Sequence, residues 1–251
     1  MRNWTIAALP LALALTVTAC SGSVTTDNSD KVETRSADAG PQTTQSFALT
    51  GFTGVEVAGP DDVTIRQGSA FSISATGPKS EIDELDIKVD GAMLSVGRKR
   101  EGFSFSRHGK GVKIAITMPK LDVVQLTGSG SLDADAVAGD TVKAVLTGSG
   151  DLKVAKLTGT SAEIKVSGSG DIEIAGGTIK SGDLGVTGSG DIDAGGLVAE
   201  TLDVSVTGSG NVEAQATGKA DISILGSGDV ELTGGATCST SKMGSGSATC
   251  K

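Results

Sequence analysis

The sequence predicts an all-β protein whose chain winds as a parallel β-solenoid with coils of about 20 residues. Three observations support this fold. The tripeptide Gly-Ser-Gly occurs seven times, spaced by 20 residues and then by 18. Apolar and polar residues alternate around each copy, and no proline follows Pro119 to interrupt a ladder of backbone donors. The copies begin at Gly128, Gly148, Gly168, Gly188, Gly208, Gly226 and Gly244.

The alternation around each copy predicts short strands with one buried face. In one coil the even positions are Ile164, Val166, Gly168, Gly170 and Ile172, with polar residues between them. The two glycines of each tripeptide are in phase with the inward residues. They therefore predict a corner of the coil where a Cβ atom would clash, with the serine between them pointing outward.

The last coil departs from this pattern. Thr240 and Lys242 replace residues that are apolar in earlier coils, and Cys238 and Cys250 bracket the final Gly-Ser-Gly. The end of a solenoid exposes unpaired backbone, which soluble proteins protect against end-to-end association. A Cys238–Cys250 disulfide would close a short loop and contribute about 3 kcal/mol. These residues predict a C-terminal cap.

Residues 47–121 are also strand-like but less regular, and they contain all five phenylalanines. Only Pro78 to Leu85 predicts a helical turn, because Lys79-Ser80 opens it and Glu81 follows. We expect residues 47–251 to form one domain. In it, residues 47–121 are irregular coils that cap the N-terminal end, and residues 122–251 are the Gly-Ser-Gly coils.

The N-terminus predicts export. Arg2 precedes an apolar run from Thr5 to Ala19, which is too short to span a membrane comfortably and fits a signal peptide over residues 1–19. Its ending, Val17-Thr18-Ala19-Cys20, resembles a bacterial lipobox with Cys20 as the lipidated residue. The alternative is an ordinary signal peptide cleaved near Ala19. With three cysteines, one lipid site and one disulfide leave no orphan thiol.

Residues 20–46 are rich in Ser, Thr, Asp and Gly and predict a disordered tether after the lipidated cysteine. Ser21 beside Cys20 favours the outer membrane over the inner one if the organism is Gram-negative. The formal net charge of −9 argues against nucleic acid as a partner and against direct electrostatic attachment to anionic lipid.

Several segments together resemble a known family. They are the run Phe52-Thr-Gly-Val-Glu-Val-Ala-Gly-Pro-Asp-Asp-Val-Thr-Ile-Arg-Gln-Gly68, the segment from Leu85 to Arg98, the strand ending Met118-Pro119, and the Gly-Ser-Gly-Asp coils. The chain from Phe47 to Lys251 resembles the bacterial "putative auto-transporter adhesin" family with the head GIN domain. The resemblance implies a right-handed β-solenoid on the cell envelope and implies little chemistry.

The residue after each Gly-Ser-Gly predicts an outward polar ladder. Carboxylates one strand spacing apart repel each other, and a bridging Ca²⁺ ion would relieve that repulsion. The alternative is that Asp and Asn are simply favoured beside a glycine turn. The ladder candidates are Asp151, Asp171, Asp191, Asn211 and Asp229.

One segment is basic in an otherwise acidic protein and contains the single histidine. It predicts either a protruding loop that binds an acidic or glycan ligand, or a solvated hairpin whose phenylalanines pack on the rod. Its candidate residues are Arg98, Lys99, Arg100, Phe103, Phe105, Arg107, His108 and Lys110.

Catalysis is poorly supported. One histidine excludes a histidine-rich metal site, and the repeat half contains no aromatic residue on which a sugar ring could stack. The sequence therefore predicts a non-enzymatic envelope lipoprotein that presents a rigid rod for adhesion, with a glycan or an envelope or surface protein as its partner. The alternatives are a polysaccharide-processing enzyme, which paired outer-face carboxylates would allow, and a periplasmic structural spacer.

Overall fold

A computed structural model describes residues 41–99 and 111–251, and these form a parallel β-solenoid of about six turns. The predicted all-β solenoid is confirmed. Its elements are β1 (Gln42–Phe47), β2 (Gly54–Gly59), β3 (Asp62–Gln67), β4 (Ser72–Pro78), α1 (Lys79–Asp83), β5 (Leu85–Asp90), β6 (Met93–Arg98), β7 (Lys113–Met118), β8 (Val123–Gly128), β9 (Ser131–Ala134), β10 (Val137–Gly148), β11 (Asp151–Val154), β12 (Leu157–Gly168), β13 (Asp171–Ile174), β14 (Gly177–Gly188), β15 (Ile192–Gly208), β16 (Val212–Gly226), β17 (Val230–Thr233), β18 (Thr237–Gly244) and β19 (Ala248–Cys250).

Two stacks of strands flank the Gly-Ser-Gly corner. The stack before the corner, here called the threonine face, runs β5, β6, β2, β8, β10, β12, β14, the ends of β15 and β16, and β18. The stack after it, here called the acidic face, runs β1, β4, β7, β3, β9, β11, β13, the starts of β15 and β16, β17 and β19. The inward apolar side chains of both stacks form one core.

The coils are not stacked in chain order at the N-terminal end. The coil formed by β2 and β3 lies between the coil of β6 and β7 and the coil of β8 and β9. The chain reaches this outer position through β4 and β5, which pair antiparallel with β7 and β6. The first coil in sequence is therefore an inner coil, and an antiparallel layer ends the rod.

The Gly-Ser-Gly corners stack in register, as the alternation predicts. Gly148, Gly168 and Gly188 are directly paired, and their backbones have φ between +123° and +132°. A Cβ atom on Gly168 would lie 2.2 Å from the carbonyl oxygen of Gly148. The clash that requires glycine is therefore with the backbone of the neighbouring coil, rather than only with the interior of its own coil.

The folded domain begins earlier than residue 47. Strand β1 (Gln42–Phe47) pairs along its whole length with β4, and the Thr44 and Thr76 hydroxyls lie 2.9 Å apart. The tether boundary at residue 46 is therefore corrected, because residues 42–46 belong to the sheet. The signal peptide, Cys20 and the rest of the tether lie outside the described residues. The predicted helical turn is α1, which buries Ile82.

The C-terminal coil carries the predicted disulfide. Cys238 on β18 is bonded to Cys250 on β19, with 12 residues of sequence separation. Cys238 is partly buried against the core together with Ala236 and Ala248. The disulfide thus ties the two last strands of the domain together.

Candidate functional site

The acidic face carries two outward rows of polar side chains. The first row is the residue that follows each Gly-Ser-Gly, and it alternates with buried residues such as Ile172 and Ile192. In-register parallel pairing places each row member beside its counterpart in the next coil, one strand spacing of about 4.8 Å away. The first row comprises Ser131, Asp151, Asp171, Asp191, Asn211, Asp229 and Ser247.

The first row is joined from coil to coil by hydrogen bonds from backbone to side chain. The backbone N–H groups of Asp191 and Asn211 donate to Asp171 Oδ1 at 2.9 Å and to Asp191 Oδ1 at 2.7 Å. Those of Asp229 and Ser247 donate to Asn211 Oδ1 at 3.0 Å and to Asp229 Oδ1 at 2.8 Å. Each of these side chains therefore accepts a hydrogen bond from the backbone of the next coil. Where the acceptor is a carboxylate, the partial positive charge of the amide offsets the repulsion between that carboxylate and its neighbours.

Asp229 shows the electrostatic effect of this arrangement. The hydroxyl and the backbone N–H of Ser247 both donate to its carboxylate, and these hydrogen bonds lower the pKa of Asp229 below its usual value. In the earlier coils the corresponding amides use backbone acceptors instead: Asp151 N–H donates to the Gly130 carbonyl at 3.2 Å. Within the described residues, no group of three or more His, Cys, Asp or Glu side chains is arranged to hold a metal ion.

A second row lies two residues further along each coil, and the sequence reading missed it. The signal was present in the sequence, because the same alternation that turns the first row outward also turns this one outward. Register pairs Glu173 with Asp193, Asp193 with Glu213, and Glu213 with Glu231. The second row comprises Asp133, Lys153, Glu173, Asp193, Glu213, Glu231 and Thr249.

Among the described residues, cations form ion pairs with this row at two points. Lys153 Nζ lies 2.9 Å from Glu173 Oε2, and Lys251 Nζ lies 2.5 Å from Glu231 Oε1. No ion pair among the described residues includes Asp193 or Glu213. The two rows together therefore give the face a strong negative potential toward the C-terminal coils.

The threonine face has a different charge balance. Its outward row before the corner is made of Thr127, Thr147, Ser167, Thr187 and Thr207. Four of its charged side chains form one network: Glu163 contacts Lys143 at 2.6 Å and Lys165 at 3.1 Å, and Lys165 also contacts Asp183 at 3.0 Å. The hydrogen bonds from Lys143 and Lys165 lower the pKa of Glu163. Asp203 and Asp221 are in no ion pair among the described residues, so this surface combines hydroxyl groups and paired charges with two exposed carboxylates toward the C-terminal coils.

Shallow grooves follow the acidic face. One of about 320 Å³ has a floor of small residues, including Ala134 and Ala175, with Arg66 and Lys153 at its edge. Another of about 420 Å³ is lined by both rows over three coils, including Asp193 and Glu213. These openings are wide and shallow, so they suit an extended partner lying along the rod better than an enclosed small molecule.

The groove beside Arg66 also tests the enzyme alternative, because Asp133, Asp135, Glu173 and a lysine line it. Both carboxylate oxygens of Asp135 accept the backbone N–H of Gln67, at 3.0 and 2.9 Å, and Glu173 is paired with Lys153. Asp133 and Glu173 are exposed to solvent. A glycosidase requires a carboxylic acid kept protonated in an apolar pocket beside an ionised one, and this groove offers no such pocket.

The described part of the basic segment serves the fold. The Arg98 guanidinium bonds to the buried Asp61 carboxylate and to Glu81, and its side chain is only 19% exposed. Lys99 Nζ donates to the Asp83 carbonyl at 2.6 Å. Both cations are therefore engaged by the N-terminal cap. Arg100, Phe103, Phe105, Arg107, His108 and Lys110 lie outside the described residues, and a ligand-binding loop there stays a prediction.

Solved bacterial proteins share this fold. A putative adhesin from Bacteroides fragilis aligns with a TM-score of 0.73 at 21% identity, covering 84% of this chain and 97% of that one. A putative adhesin from Parabacteroides merdae and a putative lipid binding protein from Parabacteroides distasonis align with TM-scores of 0.66 and 0.65, at 20% and 23% identity. Each alignment again covers 84% of this chain and 97% of the other. At these identities the likeness concerns the fold.

No curated protein matches the chain in sequence. The family model that does match spans residues 51–236, which takes in most of the irregular coils and six of the seven Gly-Ser-Gly corners. The chain therefore belongs to the family described as "putative auto-transporter adhesin, head GIN domain".

Proposed function

We propose that this protein is a non-enzymatic binding protein of the cell envelope, held by a lipid on Cys20, which uses the acidic face for adhesion. The observation that carries the proposal is the in-register repetition of the two rows. In the second row, pairing from Glu173 through Asp193 and Glu213 to Glu231 presents carboxylates over successive coils at a fixed spacing.

The mechanism is multivalent contact. A single exposed carboxylate or amide contributes little to binding, because water competes for it. A partner with repeating cationic or hydroxyl groups would engage several coils at once, and after the first contact each further contact is intramolecular. A glycan chain or an extended segment of an envelope or surface protein has this character. The rigidity of the stacked sheet lowers the entropy lost on binding.

The comparisons support the class of function. The family is described as an adhesin family, and two of the solved proteins with this fold are described as putative adhesins. Another is described as a putative lipid binding protein. No helix in residues 41–99 and 111–251 is long and apolar enough to cross a membrane. A lipid on Cys20 would then supply the attachment that the predicted signal peptide and lipobox imply.

The binding surface can be tested with two matched triple variants. In the first, Asp193→Asn, Glu213→Gln and Glu231→Gln neutralise the three second-row carboxylates nearest the C-terminal end. In the second, Asp183→Asn, Asp203→Asn and Asp221→Asn neutralise three exposed carboxylates of the threonine face. We expect binding to immobilised glycans and envelope fractions to fall in the first variant and to persist in the second, most clearly at low salt. Equal binding by both variants would show that the acidic face is not the binding surface.

Anchoring and exposure need a separate experiment. Cys20→Ala should release the protein from the membrane fraction, and continued tight fractionation would contradict the lipid anchor. Protease added to intact cells should cleave the domain if it faces outward, with a lysed sample and a known periplasmic marker as controls. Full protection in intact cells would instead favour a periplasmic partner or the spacer alternative.

The polysaccharide-processing alternative has one observation in its favour, the groove where Asp133 and Glu173 meet Arg66 and Lys153. If it were correct, purified protein would release reducing ends from an envelope polysaccharide, and Asp133→Asn would abolish that release. We expect no turnover by either protein.

A further inference from the structure

The C-terminal coil leaves one edge of the rod open. Strand β18 (Thr237–Gly244) pairs only with β16, and β19 pairs only with β17, among the strands that the structure describes. The disulfide joins these two strands to each other, and each keeps one edge without a described strand partner. The edge contains no proline, and its one charged side chain, Lys242, bonds back to the Gly246 carbonyl of its own coil at 3.4 Å. Such an edge is a template for another strand.

Two exposed apolar side chains lie at the same edge. Met243 is 72% exposed and Leu225 is 51% exposed, and they are the large hydrophobic residues with high exposure among the described residues. They are directly paired, and Leu225 continues the row that holds Thr207 and Thr187 in the preceding coils. Large apolar side chains therefore replace the hydroxyls of this row where it approaches the open edge, whereas at the other end of the row Thr127 pairs with the small Ala58. An apolar pair beside unpaired backbone is typical of a protein interface.

The opposite end of the rod does not offer a matching edge. It finishes in β1 and β5, which run antiparallel to their neighbours, and α1 precedes β5. Strand β5 also carries Asp86, Lys88 and Asp90, whose charges discourage further pairing. Head-to-tail stacking of parallel coils would not continue past this end. The arrangement that uses the open edge and then closes is a two-fold dimer, in which the edge meets itself.

We propose that two copies of this chain pair antiparallel through β18, with Thr240 on the two-fold axis. This register places outward residues opposite outward residues, so that Ser239 faces the partner's Ser241 and Met243 faces the partner's Thr237. It also keeps each Lys242 opposite the partner's Cys238 rather than opposite the other lysine. Hydroxyl pairs and an apolar contact are favourable cross-strand neighbours, and like charges directly opposite are not.

The dimer can be tested by making the same substitution at one outward position in different coils. Ser205, Ser223 and Ser241 occupy the same outward position in successive coils. Light scattering of the secreted chain carrying Cys20→Ala should give a mass that rises with concentration toward twice that of one chain. Ser241→Lys and the pair Leu225→Thr with Met243→Thr should each raise the dimer dissociation constant about tenfold or more. Ser205→Lys, the same change two coils from the edge, should leave it unaltered.

Cysteine crosslinking tests the register. Directly opposed residues of an antiparallel pair have Cα atoms about 4.5–5.5 Å apart, which a disulfide can bridge. A mixture of the Ser239→Cys and Ser241→Cys chains should therefore form a crosslinked dimer on oxidation, and either chain alone should form much less. A monomer at every concentration would overturn the proposal. Dimers that tolerate Ser241→Lys and give no mixed crosslink would also overturn it, because they would use another surface.

Discussion

Arg98 closes over the carboxylate of Asp61, with Nη2 2.6 Å from Oδ1. Asp61 is fully buried, and its Oδ1 also accepts the Val112 N–H at 2.8 Å. The segment Gly59-Pro60-Asp61 takes the place of a Gly-Ser-Gly corner, because Gly59 pairs with Gly128 and the Gly130 N–H donates to the Gly59 carbonyl. Asp61 therefore lies at a corner position that is glycine in each Gly-Ser-Gly coil, and its charge is compensated by a cation from β6.

Removing the Arg98 guanidinium should lower the free energy of unfolding. Arg98→Met leaves Asp61 buried without its partner, and the loss of a partner from a buried ion pair costs about 3–5 kcal/mol. We expect urea denaturation to give a free energy of unfolding lower by about that amount. Adding Asp61→Asn to Arg98→Met should recover part of the loss, because the uncompensated charge is then gone.

Lys88→Met is the control for this pair. Lys88 Nζ contacts Asp86 at 3.0 Å, but both side chains are exposed, so its loss should cost no more than about 1 kcal/mol. Equal destabilisation by Arg98→Met and Lys88→Met would refute a structural role for the buried pair and return Arg98 to the candidate ligand-binding residues.

The corner glycines should not tolerate alanine. On Gly168 a Cβ atom would meet the Gly148 carbonyl oxygen at 2.2 Å, and the backbone there has φ +132°. Gly168→Ala should therefore lower the free energy of unfolding by about 3 kcal/mol or more, since the neighbouring coil must shift. Gly185→Ala is the control, because its Cβ would lie 3.4 Å from Lys165 Cγ in ordinary contact. Similar thermal midpoints for the two variants would contradict the steric account.

The repeat could be predicted because its signal is local and recurs. A glycine pair in phase with apolar positions, as at Gly168 and Gly170, indicates both a strand and the corner that follows it. The same pattern recurs in each copy, which strengthens the prediction. The acidic second row could also be predicted from the sequence, because Glu173, Asp193 and Glu213 each lie at the same distance along the chain from their Gly-Ser-Gly corner. The residue beside the glycine gives the more conspicuous pattern, because Asp recurs there at positions 151, 171, 191 and 229.

Coil order and long-range pairs could not be predicted in this way. Strands β2 and β6 have similar alternating patterns, and alternation indicates which side chains face inward but not which coil lies above which. Asp61 and Arg98 are 37 residues apart and belong to no repeat, so nothing local connects them. The role of Arg98 in the cap therefore required coordinates.

The terminal disulfide should stabilise the last coil more than the rest of the rod. It closes a loop with 12 residues of sequence separation, so Cys238→Ser together with Cys250→Ser should cost about 3 kcal/mol in that coil. Hydrogen exchange should show faster exchange in β18 and β19, with protection in β10 and β12 unchanged. A uniform loss of protection along the rod would mean that the coils unfold as one unit and that the disulfide acts globally.

The lysine and glutamate network of the threonine face predicts how stability depends on pH. Hydrogen bonds from Lys143 and Lys165 lower the pKa of Glu163 in the folded protein below its unfolded value. A group of this kind contributes stability that is fully present above the unfolded pKa of about 4.3 and is lost as the pH falls through the lower folded value. Glu163→Gln should therefore destabilise the protein at neutral pH by a small amount, because the pair is partly exposed.

The difference between Glu163→Gln and the unaltered protein should shrink as the pH falls below about 4, because the native side chain then becomes neutral as well. Thermal unfolding from neutral pH down to about pH 3 measures this convergence. Asp203→Asn serves as the control, since Asp203 is an exposed carboxylate on the same face. A difference for Glu163→Gln that stays constant across this range would show that the side chain acts by packing, and that its charge does not stabilise the stacked coils.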